Sequence, residues 1–442
     1  MSSSRQAAIL AVLLGSLAPC AQFALAQGPV HLTLSDAVHI ALKENPQVQN
    51  AHLDVADRQQ DVNVRRSALL PQASLQVSDK AERINLGSTF GANLPIFPHH
   101  VGPFQVFQAG PVFSTPIFDL TLWNKLQSSR KSLAAARTDE RALRDQTTLL
   151  VVSEYLAALR SGEQLKATRS RVDLAQALFD QAAQLEENGI GTNLDTVRAH
   201  VELQSEKQSL LVVQTDRAKA LYALAQLLDL DPQQQIDLAD QALFASTPEY
   251  IAEASVAAAI ANRPEVKSLD AQVAAANRDL RAAREERLPS LTLDGNWAYQ
   301  GMSLESSIPT YWMGVSVNVP LWTSGRLRAE QAKAAVEVHR LENQRRGERD
   351  AIAEEVKSAQ ADLESSRRQV EVARLGLELA QKALDQSRER FASGIANNIE
   401  VVTAQDSLAR ASDNLIDALY CYNLARAQLA HATGQMEADY ER

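Results

Sequence analysis

The residues able to do chemistry are few and scattered. Eight histidines occur, His31, His39, His52, His99, His100, His200, His339 and His431, with no H-x-x-x-H or H-E-x-x-H pair among them. His99-His100 could touch a metal, but it lies in a stretch rich in Gly, Pro and Asn that reads as a solvated loop. No G-x-S-x-G, phosphate loop or dinucleotide fingerprint is present. The chain is expected to be no enzyme and to need no cofactor. Two carboxylates are notable for their position. Asp195 follows Gly189-Ile190-Gly191-Thr192, and Glu400 follows Gly394-Ile395-Ala396-Asn397, each at the start of a predicted helix where an acid complements the dipole.

The elements that hold those turns are long helices. Only 17 Gly and 15 Pro occur in 442 residues, and Ala, Leu, Gln, Glu and Arg dominate, as in long helices. A net charge of −10 gives a nucleic-acid partner no electrostatic support. No run of 18 apolar residues follows the N-terminus, so no transmembrane helix is expected. Residues 1–26 read as a signal peptide: Arg5, an apolar stretch from Ala7 to Ala18, and Ala24-Leu25-Ala26 as the cleavage site. Leu17-Ala18-Pro19-Cys20 is a poor lipoprotein box, and cleavage after Ala26 leaves Cys421 as the one thiol.

Between the helices lie extended segments of period two. From Met313 to Leu321, Met313, Val315, Val317, Val319 and Leu321 alternate with Gly314, Ser316, Asn318 and Pro320. One face is apolar and the other small or polar, which suits a strand between lipid and water. Leu291–Tyr299 and Tyr311–Leu321 have the roughly 9–11 residues of a tilted membrane strand. Trp297, Tyr299, Tyr311, Trp312 and Trp322 lie near the strand ends, where an aromatic girdle would sit.

The pattern occurs twice. Pro46 to Pro71 spans 25 residues, as does Pro264 to Pro289, and these prolines mark the same helix–strand junctions. We therefore expect a tandem duplication. Residues 27–245 would hold a helix, a β-hairpin at about 72–118 and a helical hairpin at 119–230. Residues 246–442 would hold a helix, a β-hairpin at about 290–322 and a helical hairpin at 325–433. Ser161-Gly162 is a candidate break in the first long helix. Val401, Leu408, Leu415, Tyr422 and Leu429 are seven apart, a coiled-coil seam. Four strands cannot close a barrel, and an open edge in lipid leaves backbone groups unsatisfied, so a homotrimer with twelve strands is expected.

The whole chain after residue 26 resembles the TolC-like outer-membrane efflux protein family. The resemblance rests on L-S-D-A-V-H-I-A-L-K-E-N-P-Q-V at Leu34–Val48, on L-P at Pro71 and Pro289, and on V-P-L-W-T-S-G at Val319–Gly325. The twin turns N-G-I-G-T-N-L-D and S-G-I-A-N-N-I-E at Asn188–Asp195 and Ser393–Glu400 add to it. It implies a mostly α fold with membrane β, a trimeric α/β barrel with long coiled-coil helical hairpins and four β-strands per protomer. It further implies a passive exit duct in the cell outer membrane, embedded in its lipid and continued by a periplasmic tunnel. That duct would serve a tripartite efflux or type I secretion system, with a periplasmic adaptor (membrane fusion protein) and an inner-membrane pump of RND or ABC type. The tips at Gly189, Ile190, Gly191, Thr192 and Gly394, Ile395, Ala396, Asn397 would receive the adaptor. Glu400 and Asp195 would stand at the periplasmic gate. Thr403 occupies a position where the family has a second acid, and Ala396 one where it has a latch arginine, for which Arg198 or Arg390 could substitute. The alternative reading is a periplasmic coiled-coil adaptor without a membrane barrel.

Overall fold

A short helix that a proline stops recurs in each half of the chain, before Pro46 and before Pro264. In this computed structural model, which describes residues 30–85, 98, 100–231, 234–240, 252–393, 395 and 398–440, helix α1 is Leu34–Glu44. The Thr33 hydroxyl accepts from the Asp36 N–H, and the Asp36 carboxylate accepts from the Thr33 N–H in return, so two orphan donors of the first turn are satisfied. Asn45 ends α1 and caps α2, Pro46–Ser67, its side-chain oxygen accepting from Gln47 N–H at 2.9 Å. The signal-peptide residues 1–26, with Cys20, lie outside the described residues.

Past α2 the chain makes strands β2, Gln72–Asn85, and β3, His100–Phe118. It then forms α3, Leu120–Glu187, and α4, Asn193–Leu227. The same series follows as α5, Ala252–Asn262, α6, Pro264–Glu285, β5, Ser290–Gly301, β6, Ile308–Asn318, α7, Arg326–Ala392, and α8, Asn398–Ala432. Corresponding helices match in length: 11 and 11 residues, 22 and 22, 68 and 67, 35 and 35. At ~1.5 Å per residue the longest pair run roughly 100 Å. The expected break at Ser161-Gly162 does not occur. Ser161 is buried and donates to the Ala158 carbonyl at 2.7 Å, inside a helix whose packing outweighs one glycine's cost of about 1 kcal/mol. The seam residues Val401, Tyr422 and Leu429 are buried, as expected of a coiled-coil stripe.

Strands β2, β3, β5 and β6 form one antiparallel sheet in that order. β6 stops at Asn318, so Val319 and Leu321 continue the alternation outside the ladder. The register places Leu291 opposite Val317, Leu293 opposite Val315 and Trp297 opposite Tyr311. A row Ala73, Phe113, Gly295, Met313 crosses all four strands on that same apolar face. A Cβ on Gly295 would sit 2.3 Å from the Phe113 ring, so the glycine is where the ring lies flat on the sheet.

A second junction, which the sequence pattern did not reveal, sits partway down the helices. β1, Val30–Leu32, and β4, Ile236–Leu238, pair in parallel beside α1, α3, α4 and a short C-terminal helix α9, Met436–Tyr440. Tyr155 of α3 is fully buried there. Its hydroxyl lies 2.9 Å from the Leu32 carbonyl and 2.8 Å from Asp240 Oδ2, which also accepts from Leu34 N–H at 2.7 Å. One hydroxyl proton serves both acceptors. Burial, and after it the Asp240 carboxylate, push the phenol well above its ordinary range. The corresponding junction in the second half uses Arg263 where the first has Asn45. Asn45 donates to the Leu227 carbonyl at 2.9 Å; Arg263 donates to the His431 carbonyl at 3.1 Å and pairs with Glu265 at 2.9 Å and Glu355 at 3.0 Å. Burial alone would raise Glu355. The His431 hydrogen bond at 3.1 Å and the Arg263 guanidinium overcome it and hold the carboxyl below the usual glutamate range.

Tyr155→Phe leaves the Leu32 carbonyl and the Asp240 carboxylate short of a donor and should cost about 1–3 kcal/mol, read as a lowered thermal midpoint. Because Glu355 titrates lower in the folded chain than in the unfolded one, its stabilisation is present above about pH 4.3 and is lost as pH falls through its depressed value. A thermal-midpoint series from pH 6 downward should therefore fall more gently in Glu355→Gln than in the parent.

Candidate functional site

Two surfaces gather the residues of interest: the sheet and the turns that end the helix hairpins. On the sheet, Trp297, Tyr299 and Tyr311 share the apolar face near the β5–β6 turn, all exposed. Trp312 does not join them. It is opposite Asn296, and the pleat carries it to the polar face. Trp322 lies beyond the strand at the other end, 86% exposed. The polar face carries a bonded acid not singled out from sequence. Asp294 accepts from Ser114 at 2.6 Å, Thr292 at 2.9 Å and Ser316 at 3.0 Å, tying β3, β5 and β6 together. Its signal was present in the alternation, as a charge at an even position of a strand whose odd positions are apolar. At the far loop His100 hydrogen-bonds Arg83, while His99 lies outside the described residues.

The first hairpin turn is closed by its own backbone. Ile190 and Gly191 N–H groups both donate to the Leu185 carbonyl, at 2.9 and 2.8 Å, and Gly189 has φ +73°. A Cβ on Gly191 would come within 2.9 Å of Glu186 N. Thr192 caps α4. Its oxygen accepts from Asp195 N–H at 3.3 Å and its hydroxyl donates to Asp195 Oδ2 at 2.6 Å, so Asp195 is engaged in the cap. Across the turn Asn193 donates to Glu186 at 2.9 Å, and bonds from Thr196 and then Asn193 hold the Glu186 carboxyl below its usual range. Ile190 projects into solvent, 79% exposed, and so does Ile395 of the other turn, 73%. Gly394, Ala396 and Asn397 lie outside the described residues. Glu400, in the first turn of α8, meets Arg390 of α7 at 3.2 Å, both side chains partly exposed. Thr403, one turn on, donates to the Ile399 carbonyl at 2.8 Å. Of the two arginines considered for a latch, Arg390 is bound to Glu400, and Arg198 forms no ion pair among the described residues. No cluster of His, Cys, Asp or Glu able to hold a metal occurs among the described residues, and no helix there is long and apolar enough to cross a membrane.

The chain matches the model of the outer membrane efflux protein family over residues 37–229 and 256–435. It belongs to that family. The Pseudomonas aeruginosa pyoverdine export outer membrane protein OpmQ is 26% identical over 320 residues, 70% of this chain and 66% of that protein. Its Pseudomonas putida counterpart is matched over 64% of its length, so the chain spans a little under two thirds of these two relatives. Outer membrane efflux protein BepC of Brucella suis is 25% identical over 440 residues, 97% of this chain and 90% of that one. In fold, the Campylobacter jejuni CmeC outer membrane channel superposes with TM-score 0.78 at 17% identity, covering 91% of this chain and 85% of that one. An outer membrane efflux protein of this kind is mostly helical with a small antiparallel sheet, belongs in the outer membrane and reaches into the periplasm. The family comprises channel and transport proteins. The two family segments flank residues 230–255, which follow the helical hairpin of one half and run into the start of the short helix α5 of the next.

Gly191→Ala forces the added carbon against Leu185 and Glu186. The turn should open locally at a cost of about 1–2 kcal/mol, accelerating amide exchange at Ile190 and Gly191 roughly tenfold while leaving the junction around Tyr155 protected.

Proposed function

We propose that the protein is the outer-membrane exit duct of a tripartite efflux or type I secretion system, a passive homotrimeric channel gated at its periplasmic helical tips. One observation carries the reading. A four-stranded sheet with an apolar and a polar face, and with one edge of β2 and one of β6 lacking a strand partner among the described residues, continues into helices of roughly 100 Å. In lipid those edges need strands, and three copies supply a closed barrel of twelve. The apolar face then meets outer-membrane lipid, with Trp297, Tyr299 and Tyr311 at one interface and Trp322 at the other. The polar face, with Asp294 and Trp312, lines the pore.

In this reading residues 27–245 and 246–442 are two copies of one unit, which gives each protomer two helical hairpins and two tips. The exposed Ile190 and Ile395 are the contact points for a periplasmic adaptor, itself joined to an RND or ABC pump that supplies the energy. Glu400 and Asp195 stand one turn inside the tips. Three copies of each place a ring of carboxylates at the narrowest point, where they favour cations. Arg390 takes part of the role of the absent latch arginine by bracing α8 against α7 through Glu400. Names among the relatives speak of pyoverdine export and of alkaline protease secretion, so efflux and protein secretion both fit the proposed duct.

Reconstituted in planar bilayers, the Asp195→Ala, Glu400→Ala double variant should conduct several times better than the parent and lose cation preference, as expected when both carboxylates of every protomer leave a constriction. Unchanged conductance and selectivity would remove these residues from the gate. Failure of the parent to form channels at all, or its extraction from membranes by urea, would remove the duct.

A further inference from the structure

Midway along the helices, α3 faces α8 of the second hairpin, and the contact is charged. Arg171 sits about 25 Å before the turn at Asn188, at ~1.5 Å per residue. Its Nη1 lies 3.1 Å from both carboxylate oxygens of Asp413 on α8, and its Nε lies 3.3 Å from Glu206 on α4. Its Nη2 donates to Thr168 on its own helix at 2.8 Å. About three turns further from the tip, Arg160 meets Asp417 at 2.8 Å and lies 5.2 Å over the Tyr420 ring. On the tip side the hairpins also meet through apolar residues, Leu178, Leu384, Val401 and Ala404.

The charges around Arg171 do not balance. Glu202 and Glu206 of α4 face Asp406 and Asp413 of α8. From α3 come Arg171 and the neutral Thr168; from α7, the uncharged Leu377 and Gln381. Arg410 reaches Asp406 only at 4.0 Å, from the solvent side. A cavity of about 300 Å³ lies between the hairpins, lined among others by Arg171, Glu202, Glu206 and Gln405. One guanidinium thus pairs with two carboxylates, Glu206 and Asp413, at a partly buried seam where Glu202 and Asp406 crowd the first of them.

We infer that Arg171 is the strut that joins the two helical hairpins of a protomer, and that the carboxylates it gathers make the joint weaken as pH rises. The strut marks where the tip segments pivot, a claim that rests on the gating read above. Burial, then Asp406 and Glu206, push Glu202 up; burial also pushes Glu206 up, against Arg171. The docked hairpins therefore hold more protons than separated ones. Lowering pH favours docking, and raising it through those elevated values charges the seam and loosens it.

The test uses full-length protein with Cys421→Ser and spin labels at Val201 on α4 and Ser407 on α8, both exposed and tipward of the strut. Pulsed dipolar spectroscopy should show the α4–α8 separation lengthening from pH 5.5 to pH 8, and in Arg171→Met at both values. Glu202→Gln with Glu206→Gln should abolish the pH response. Should Arg171→Met not fold, Asp413→Asn should give the same lengthening in weaker form. An unchanged separation in these variants, or a pH response that survives the double Gln variant, overturns the strut. Conductance of the same samples should rise roughly fivefold or more where the separation lengthens, the low end of a site-to-site coupling. A longer separation with unaltered conductance leaves the strut standing and overturns the gate.

Discussion

An unpaired sheet edge cannot stay in lipid, and most of the architecture follows from that. A backbone N–H or C=O buried in hydrocarbon without a partner costs several kcal/mol, so in the proposed duct β2 and β6 need neighbours that the described residues of one chain do not supply. The first consequence for the proposed duct is assembly: with two edges and four strands per chain, closure of the sheet calls for further copies. The second is the sheet's composition. Apolar Leu291, Leu293, Val315 and Val317 face one way, and Thr292, Asp294 and Ser316 the other, because a barrel wall has lipid on one side and water on the other. The third is the position of the helices, which enter and leave at one end of the strands and extend the wall away from the membrane.

A wall of helices about 100 Å long with little sideways support would shear, and the two junctions partway down resist that. They solve the same problem with different chemistry. In the first half a buried phenol, Tyr155, holds the β1 carbonyl and Asp240, and Asn45 binds the end of α4. In the second half one arginine, Arg263, performs the binding, neutralised by Glu265 and Glu355. Both junctions hold a carboxylate, Asp240 in the first and Glu355 in the second, but only the second sets a buried cation against its acids. The two halves thus differ in the chemistry of the joint while retaining matching helix lengths.

What could be read from the sequence was what local chemistry dictates. Prolines at 46, 71, 264 and 289 marked element ends because proline lacks an N–H and restrains the residue before it. The alternation in Tyr311–Val317 was plain because one face is wholly apolar. The helical turns at Gly189 and Gly394 were placed by glycine. What was not legible depends on distant partners. β1 and β4 are three residues each, and nothing in V-H-L announces pairing with I-D-L two hundred residues away. Trp312 was grouped with the other aromatics by proximity in sequence, whereas pleat parity, equally available, assigns it to the opposite face. Arg171 is one of many charges in the helical sequence, and only the packing of α4 and α8 brings Glu206 and Asp413 to it.

These restraints are graded along the long axis. The sheet end is fixed by a ladder of backbone bonds and by Asp294 bridging three strands. The junction below it is fixed by buried apolar side chains around Tyr155. Further along, the hairpins are held by ion pairs partly open to water, each worth at most about 1 kcal/mol when exposed. At the tips the described residues show turn hydrogen bonds, the Asp195 cap, the Asn193–Glu186 bond and the Arg390–Glu400 pair. The side-chain bonds at the tips are thus more open to water than those at the junction around Tyr155. In a duct whose barrel must stay sealed against lipid while its far end opens, the weakest interactions lie at the end that would move.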